Sequence, residues 1–68
     1  MPIKETASGN TLKLLFNDYD LIVYDEVEEV EISKGWLVST FIDGRIIAYR
    51  IDDIIKIDTG EDISVYFK

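Results

Sequence analysis

An internal repeat around a turn signal constrains the fold of this chain more than any other feature. Asp43-Gly44 separates two runs rich in β-branched residues, which is the strongest short-range signal for a β-hairpin. Segment 41–57, FIDGRIIAYRIDDIIKI, matches segment 16–32, FNDYDLIVYDEVEEVEI, at an offset of 25. The matched pairs are Phe16 with Phe41, Asp18 with Asp43, Ile22 with Ile47, Tyr24 with Tyr49 and Ile32 with Ile57. The repeat predicts two hairpin-plus-strand units joined near Lys34-Gly35.

Alternating apolar and polar residues predict short strands along most of the chain. Residues 11–17 place Leu12, Leu14 and Phe16 on one face, whereas residues 20–25 are apolar on both faces, which predicts a strand covered on both sides. Further strands are expected at 29–33, 36–42, 45–50, 54–58 and 63–68, with acidic kinks at 25–28 and 51–53. A helix over 25–32 is the alternative for the first kink and its strand, but the β-branched residues favour a strand.

This pattern predicts an all-β fold: a small antiparallel meander or SH3-like barrel of six to seven short strands with an internal pseudo-repeat. In the central hairpin, a two-residue type I′ turn at Asp43-Gly44 pairs Thr40 with Ile47 and Val38 with Tyr49, and that face then carries the core. A three-residue turn with a glycine bulge shifts the pairing by one residue. Both registers are open at the level of sequence.

Length and composition predict one small domain without covalent or metal cross-links. Residues 1–10 have no apolar period and are expected to form a flexible N-terminal lead-in that ends in a turn, followed by a single β domain at 11–68. The chain has 68 residues and neither cysteine nor histidine, which excludes disulfides and Cys/His zinc sites. Stability must therefore come from β packing or from self-association.

Acidic residues are concentrated in one segment. The net charge is −7, and residues 14–33 contain seven acids and no base. This charge repels phosphate, so direct binding to nucleic acid is not expected. We expect the acids to imitate nucleic acid and to bind the basic groove of another protein; the alternative is a solvated edge that prevents aggregation. The predicted partner-binding acids are Asp18, Asp20, Asp25, Glu26, Glu28, Glu29 and Glu31.

The apolar residues exceed what one face of a thin sheet can cover. Aromatic and large aliphatic side chains on the central hairpin are therefore expected to form an oligomer or partner interface, and a homodimer is predicted. The alternative is a sandwich that buries both faces within one chain. The predicted apolar contact residues are Trp36, Leu37, Phe41 and Ile46.

The sequence lacks the usual residues for catalysis, and no enzyme activity or cofactor is predicted. It has no histidine or cysteine to supply a base or a thiol nucleophile, and no glycine-rich phosphate loop. Carboxylates at 52–53 and 58–62 offer oxygen ligands for a hard cation, although turn chemistry also explains them. Without a long apolar run or a secretory signal, a cytoplasmic protein with no membrane partner is expected.

Together these features predict a non-enzymatic protein-binding module, with an acidic inhibitor or regulator of a nucleic-acid-handling protein as its most specific form. Small acidic proteins of phages and mobile elements act in this way, an analogy of size and charge alone. Two alternatives follow from the same residues. One is a structural subunit of a homo-oligomer or larger assembly, and the other is a carboxylate metal-binding domain.

Overall fold

The structure, a computed structural model, describes residues 9–68 and confirms the all-β fold. Its strands are β1 (Leu12–Phe16), β2 (Leu21–Tyr24), β3 (Val27–Ser33), β4 (Trp36–Phe41), β5 (Ile46–Arg50), β6 (Ile54–Thr59) and β7 (Ser64–Phe67). A single 3₁₀ turn, Ile51–Asp53, lies between β5 and β6 at the second acidic kink, and β3 occupies the segment for which a helix was the alternative.

The predicted lead-in lies largely outside the described residues, but its last two residues belong to the domain. Gly9 and Asn10 form the expected turn. The Asn10 carbonyl accepts the Val27 amide, and the Asn10 side-chain amide donates to the Val27 carbonyl, both at 2.9 Å. These bonds attach the start of β1 to the start of β3.

The strands form two sheets, ordered β2-β1-β6 and β5-β4-β3-β7. All neighbouring strands are antiparallel except β3 and β7, which are parallel. The order differs from a simple meander because β6 returns to β1 in the other sheet and the last strand joins β3. The two sheets do not close into a barrel.

The repeat predicted from the sequence appears as two hairpins with the same turn. In the β1–β2 hairpin the Phe16 amide donates to the Asp20 carbonyl at 2.9 Å. In the β4–β5 hairpin the Phe41 amide donates to the Arg45 carbonyl at 2.8 Å. Each turn therefore has three residues, and the residue at its third position, Tyr19 or Gly44, has a positive φ of 67° or 92°.

The three-residue turn corrects the predicted register of the central hairpin. Thr40 pairs with Ile46 and Val38 with Ala48, so the pairing of the two-residue turn is wrong and its one-residue alternative is correct. Because successive side chains point to opposite faces of a sheet, this shift of one residue changes which β5 side chains share a face with a given set of β4 side chains. Leu37, Ser39 and Phe41 face the core, together with the half-buried Ile47 and Tyr49.

The third strands of the two repeats also correspond, but at a larger offset than the sequence comparison indicates. Bulges lie next to the pairs Val27–Phe41 in the second sheet and Ile54–Phe16 in the first. These pairs relate β3 to β6 at an offset of 27, so Val30 rather than Ile32 occupies the place of Ile57. The additional residues lie in the 3₁₀ turn, which lengthens the second kink.

The core lies between the two sheets and draws on both repeats. Its buried apolar residues are Leu12, Leu14, Val27, Val30, Leu37, Phe41 and Ile63. The prediction that β2 is covered on both faces is wrong: Leu21 is 60% exposed and Val23 is 49% exposed. Within residues 9–68, no further layer of structure covers the outer face of this sheet.

An aromatic cluster joins the two repeats. The ring of Phe16 contacts Tyr49 edge-on at 5.1 Å, and the equivalent ring of Phe41 contacts Tyr24 edge-on at 5.5 Å between centroids. The hydroxyls of Tyr24 and Tyr49 form a hydrogen bond with each other. Burial, together with this hydrogen bond, raises the pKa of Tyr24 to about 12. Such edge-on pairs contribute about 0.5–1.5 kcal/mol each beyond their buried area.

Candidate functional site

The seven predicted partner-binding acids do not form one continuous edge. Asp18 and Asp20 precede β2, whereas Asp25 and Glu26 follow it. Since an extended chain rises about 3.4 Å per residue, the backbones of Asp20 and Asp25 lie roughly 17 Å apart. The acidic segment is therefore divided between two ends of the molecule and the outer face of the second sheet.

At one end, two of the predicted partner-binding acids share a cleft with a third acid, which the sequence analysis considered only as a cation ligand. Asp18 and Asp20 lie on the first hairpin turn, and Asp53 lies in the 3₁₀ turn. The Asn17 amide donates to the Asp53 carbonyl at 2.8 Å, and the Asn17 side chain donates to the Asp52 carbonyl at 2.8 Å. These two bonds hold the turns together and bring the three carboxylates to the rim of one cleft.

This acidic cleft has a volume of about 390 Å³ and is open to solvent. Carboxylates and aromatic rings line it together, and none of its lining residues is basic. Asp18 uses one carboxylate oxygen to accept the Asp20 amide at 3.1 Å, which leaves the other oxygen available. The lining residues are Phe16, Asn17, Asp18, Asp20, Ile22, Tyr49 and Asp53.

Carboxylates beside aromatic rings are suited to organic cations. A guanidinium or ammonium group can donate to the carboxylates while its charge is attracted to an aromatic ring. The cleft therefore has the chemistry to hold an arginine or lysine side chain. Asp53 was not placed among the partner-binding acids because it lies far along the chain from Asp18. In the structure Asp53 corresponds to Glu26, whose carbonyl accepts the amide of Ile42 in the other turn at 2.8 Å, but at the sequence offset of 25 it aligns with Glu28, so the repeat did not reveal this position.

At the opposite end, the acids around the first kink are partly engaged in the fold. The Asp25 carboxylate accepts the Thr11 hydroxyl at 3.2 Å. Glu26 has a positive φ of 61°, which turns the chain into β3. Glu28 is the bulged residue and is exposed. None of these acids lines the acidic cleft.

Glu29 and Glu31 lie on the outer face of the second sheet. Glu29 pairs with Thr40 of β4 and Glu31 pairs with Val38, and the two glutamates are half-buried. The Glu31 carboxylate lies 3.3 Å from the ammonium of Lys68, so its charge is partly compensated. The two glutamates thus border an apolar sheet face rather than an acidic edge.

The predicted apolar contact residues separate into two pairs. Leu37 is fully buried and Phe41 is 2% exposed, so both pack in the core and are removed from the contact surface. Trp36 is 43% exposed and Ile46 is 65% exposed, and both lie on the outer face of the second sheet. The guanidinium of Arg50 lies 5.3 Å from the centre of the Trp36 ring and covers part of it. Trp36 and Ile46 remain available for contact.

The described residues hold no group of three or more potential ligand side chains arranged to bind a metal ion, and this includes the carboxylates at 52–53 and 58–62. No helix within residues 9–68 is long and apolar enough to cross a membrane. Comparisons with protein families, with curated proteins and with solved structures find no match to this chain.

Proposed function

We propose that this protein is a non-enzymatic protein-binding module that occupies a basic surface of its partner and so inhibits or regulates it. The acidic cleft supports this proposal most strongly. Asp18, Asp20 and Asp53 surround a concave site that has aromatic walls and no basic lining residue. An arginine or lysine of the partner inserts there, and the remaining negative charge of the chain orients the two proteins during approach.

The partner class follows from the charge. A chain with a net charge of −7 is repelled by nucleic acid and attracted to the surfaces that bind nucleic acid. Such surfaces expose arginine and lysine side chains that normally contact phosphates. We therefore assign the partner to the nucleic-acid-handling proteins, with the acidic cleft as the anchor and the surrounding carboxylates as secondary contacts.

The test is capture of partner proteins from host extract at low salt, followed by competition with duplex DNA. The wild-type chain is expected to retain a basic protein that DNA releases. Asp20→Asn with Asp53→Asn removes two charges from the cleft and should lose that protein. Glu61→Gln with Asp62→Asn removes two exposed charges elsewhere, serves as the matched control and should retain it. Equal retention by both double variants, or a partner that DNA does not release, contradicts the proposal.

A second candidate is a structural subunit of a larger assembly, and the outer face of the second sheet favours it. Trp36 and Ile46 are exposed there beside the half-buried Val38. An assembly through this face is driven by apolar contact, so raising the salt concentration should leave it intact, whereas binding through the acidic cleft should weaken steeply. Ile46→Ser should disrupt the assembly and leave cleft binding unchanged.

A further inference from the structure

The outer edge of β6 is unpaired within residues 9–68, although the equivalent edge of β3 is paired. β6 ends the sheet β2-β1-β6, whereas β3 lies between β4 and β7. The two strands occupy the same place in the two repeats, next to equivalent bulges. On β3, the Ile32 carbonyl accepts the Lys68 amide at 2.9 Å. An edge with this geometry therefore already holds a strand elsewhere in the same fold.

The hydrogen bonds of β6 show which backbone groups face its open edge. The Gly60 amide donates to the Thr11 carbonyl at 2.8 Å, and Asp58 lies opposite Lys13 in the same ladder. In an antiparallel pair, residues that bond to one neighbour alternate with residues that face the other side. Ile57 and Thr59 therefore direct their N–H and C=O groups away from β1 towards the open edge.

We propose that a second copy of this chain pairs with this edge, so that β6 lies antiparallel to β6 of the partner subunit with Ile57 at the centre. A two-fold dimer uses the same surface on both copies, which requires an antiparallel arrangement of the two strands. The result is one six-stranded sheet with the order β2-β1-β6-β6-β1-β2. The pairing of the two β6 strands covers an edge that would otherwise be open to pairing with other chains.

Charge complementarity selects this register. Lys56 and Asp58 are exposed neighbours on the outer face, with their side chains 3.8 Å apart. With Ile57 at the centre, each Lys56 lies opposite Asp58 of the partner subunit. The two-fold symmetry gives two such pairs of opposite charge in each dimer. A shift of two residues in either direction places lysine opposite lysine or aspartate opposite aspartate. Opposite charges in such cross-strand pairs attract and like charges repel, so the self-complementary register is preferred.

The dimer is tested by changing one charge at a time and measuring mass against concentration by sedimentation. Wild-type chain should move from monomer to dimer between micromolar and millimolar concentration. A dimer of Lys56→Glu contains two facing pairs of acids, and a dimer of Asp58→Lys contains two facing pairs of lysines. Each variant alone should bind itself roughly tenfold or more weakly. Mixing the two variants should restore a heterodimer, because every facing pair is then opposite in charge.

Recovery on mixing separates the interface from a folding defect, since two unfolded variants cannot restore each other. Amide hydrogen exchange adds a residue-level check. Ile57 and Thr59 should gain protection as the dimer forms, whereas the Gly60 amide, bonded to β1, should be protected at every concentration. A wild-type chain that stays monomeric at millimolar concentration overturns the proposal. A dimer that Ile46→Ser abolishes but Lys56→Glu leaves intact also overturns it and assigns the contact to the outer face of the second sheet.

Discussion

Ser39 offers a direct test of how the core is built, because its hydroxyl is buried without a hydrogen-bond partner among the described residues. The side chain lies on β4 between Leu37 and Phe41 and is 1% exposed. A hydroxyl that loses its bonds to water and gains none in the fold destabilises a protein by about 1–3 kcal/mol. Ser39→Ala removes this hydroxyl and deletes only one buried atom.

The expected gain from Ser39→Ala is about 1 kcal/mol. The relief of the unpaired hydroxyl is offset in part by the lost packing of the oxygen atom, which is worth a few tenths of a kcal/mol. For a domain of this length, about 1 kcal/mol corresponds to an increase of roughly 4–8 °C in Tm. The increase should appear in thermal melts followed by circular dichroism and as a higher midpoint in urea.

Ser64→Ala is the matched control, since Ser64 lies in β7 and is exposed. It should change stability by less than about 0.5 kcal/mol. If Ser39→Ala lowers the melting temperature while Ser64→Ala does not, the Ser39 hydroxyl has a partner in solution, and the packing of β4 described above is wrong at that position.

Three further predictions concern the turns and the aromatic cluster. Gly60→Ala should destabilise the fold by about 2–3 kcal/mol, because the Cβ of the alanine would lie 2.2 Å from the carbonyl oxygen of Gly9. Urea unfolding measures this change, and an unchanged unfolding midpoint would contradict the close approach of the two backbones. Gly44→Ala should cost about 1 kcal/mol at a φ of 92°, whereas Tyr19→Gly, at the equivalent position and 80% exposed, should not lower stability. Since folding raises the pKa of Tyr24 from 10.0 to about 12, the contribution of Tyr24 to stability should be constant below pH 10 and decline as the pH rises towards 12. In Tyr24→Phe that decline should be smaller by about 1 kcal/mol, after allowing for screening by solvent, and an identical decline would refute the assignment.

The strands were predictable because their signals are local. Alternation placed Leu12 and Leu14 on the buried face of β1, and Lys34-Gly35 forms a two-residue turn with positive φ at both positions. The register of the central hairpin was not fixed by the same signals. An Asp-Gly pair fits both a two-residue type I′ turn and a three-residue turn with glycine in the third position, and only the packing of β4 and β5 decides between them.

Non-local contacts account for the remaining differences. The parallel pairing of β3 with β7 joins segments from the middle and the end of the chain, and no periodicity indicates which edge the last strand will choose. The exposure of Leu21 and Val23 has the same origin, because it depends on whether another layer covers the first sheet. An apolar run predicts a strand, but it does not show whether another layer of structure packs on that strand.

The candidate site was predictable only in part. The acidic residues Asp18 and Asp20 were identified from their density in the sequence, but the separation of the acids into different surfaces follows from strand direction. Asp53 joins them through the bonds of Asn17, across more than thirty residues of chain. Leu37 was predicted at the surface because the two-residue register turned its face outward, and the observed register buries it.

The most direct measurement of the central claim is an NMR titration of the labelled protein with a short arginine-rich peptide at low salt. We predict saturable shifts of the amides of residues 16–18, Asp20, Tyr49 and Asp53, which line the acidic cleft. A peptide with citrulline in place of arginine keeps the shape but not the charge and should produce no saturable shift, and Asp20→Asn with Asp53→Asn should abolish the response to arginine. Equal responses to both peptides, or arginine-dependent shifts confined to residues outside the cleft, would contradict the claim that this protein binds its partner through the cleft.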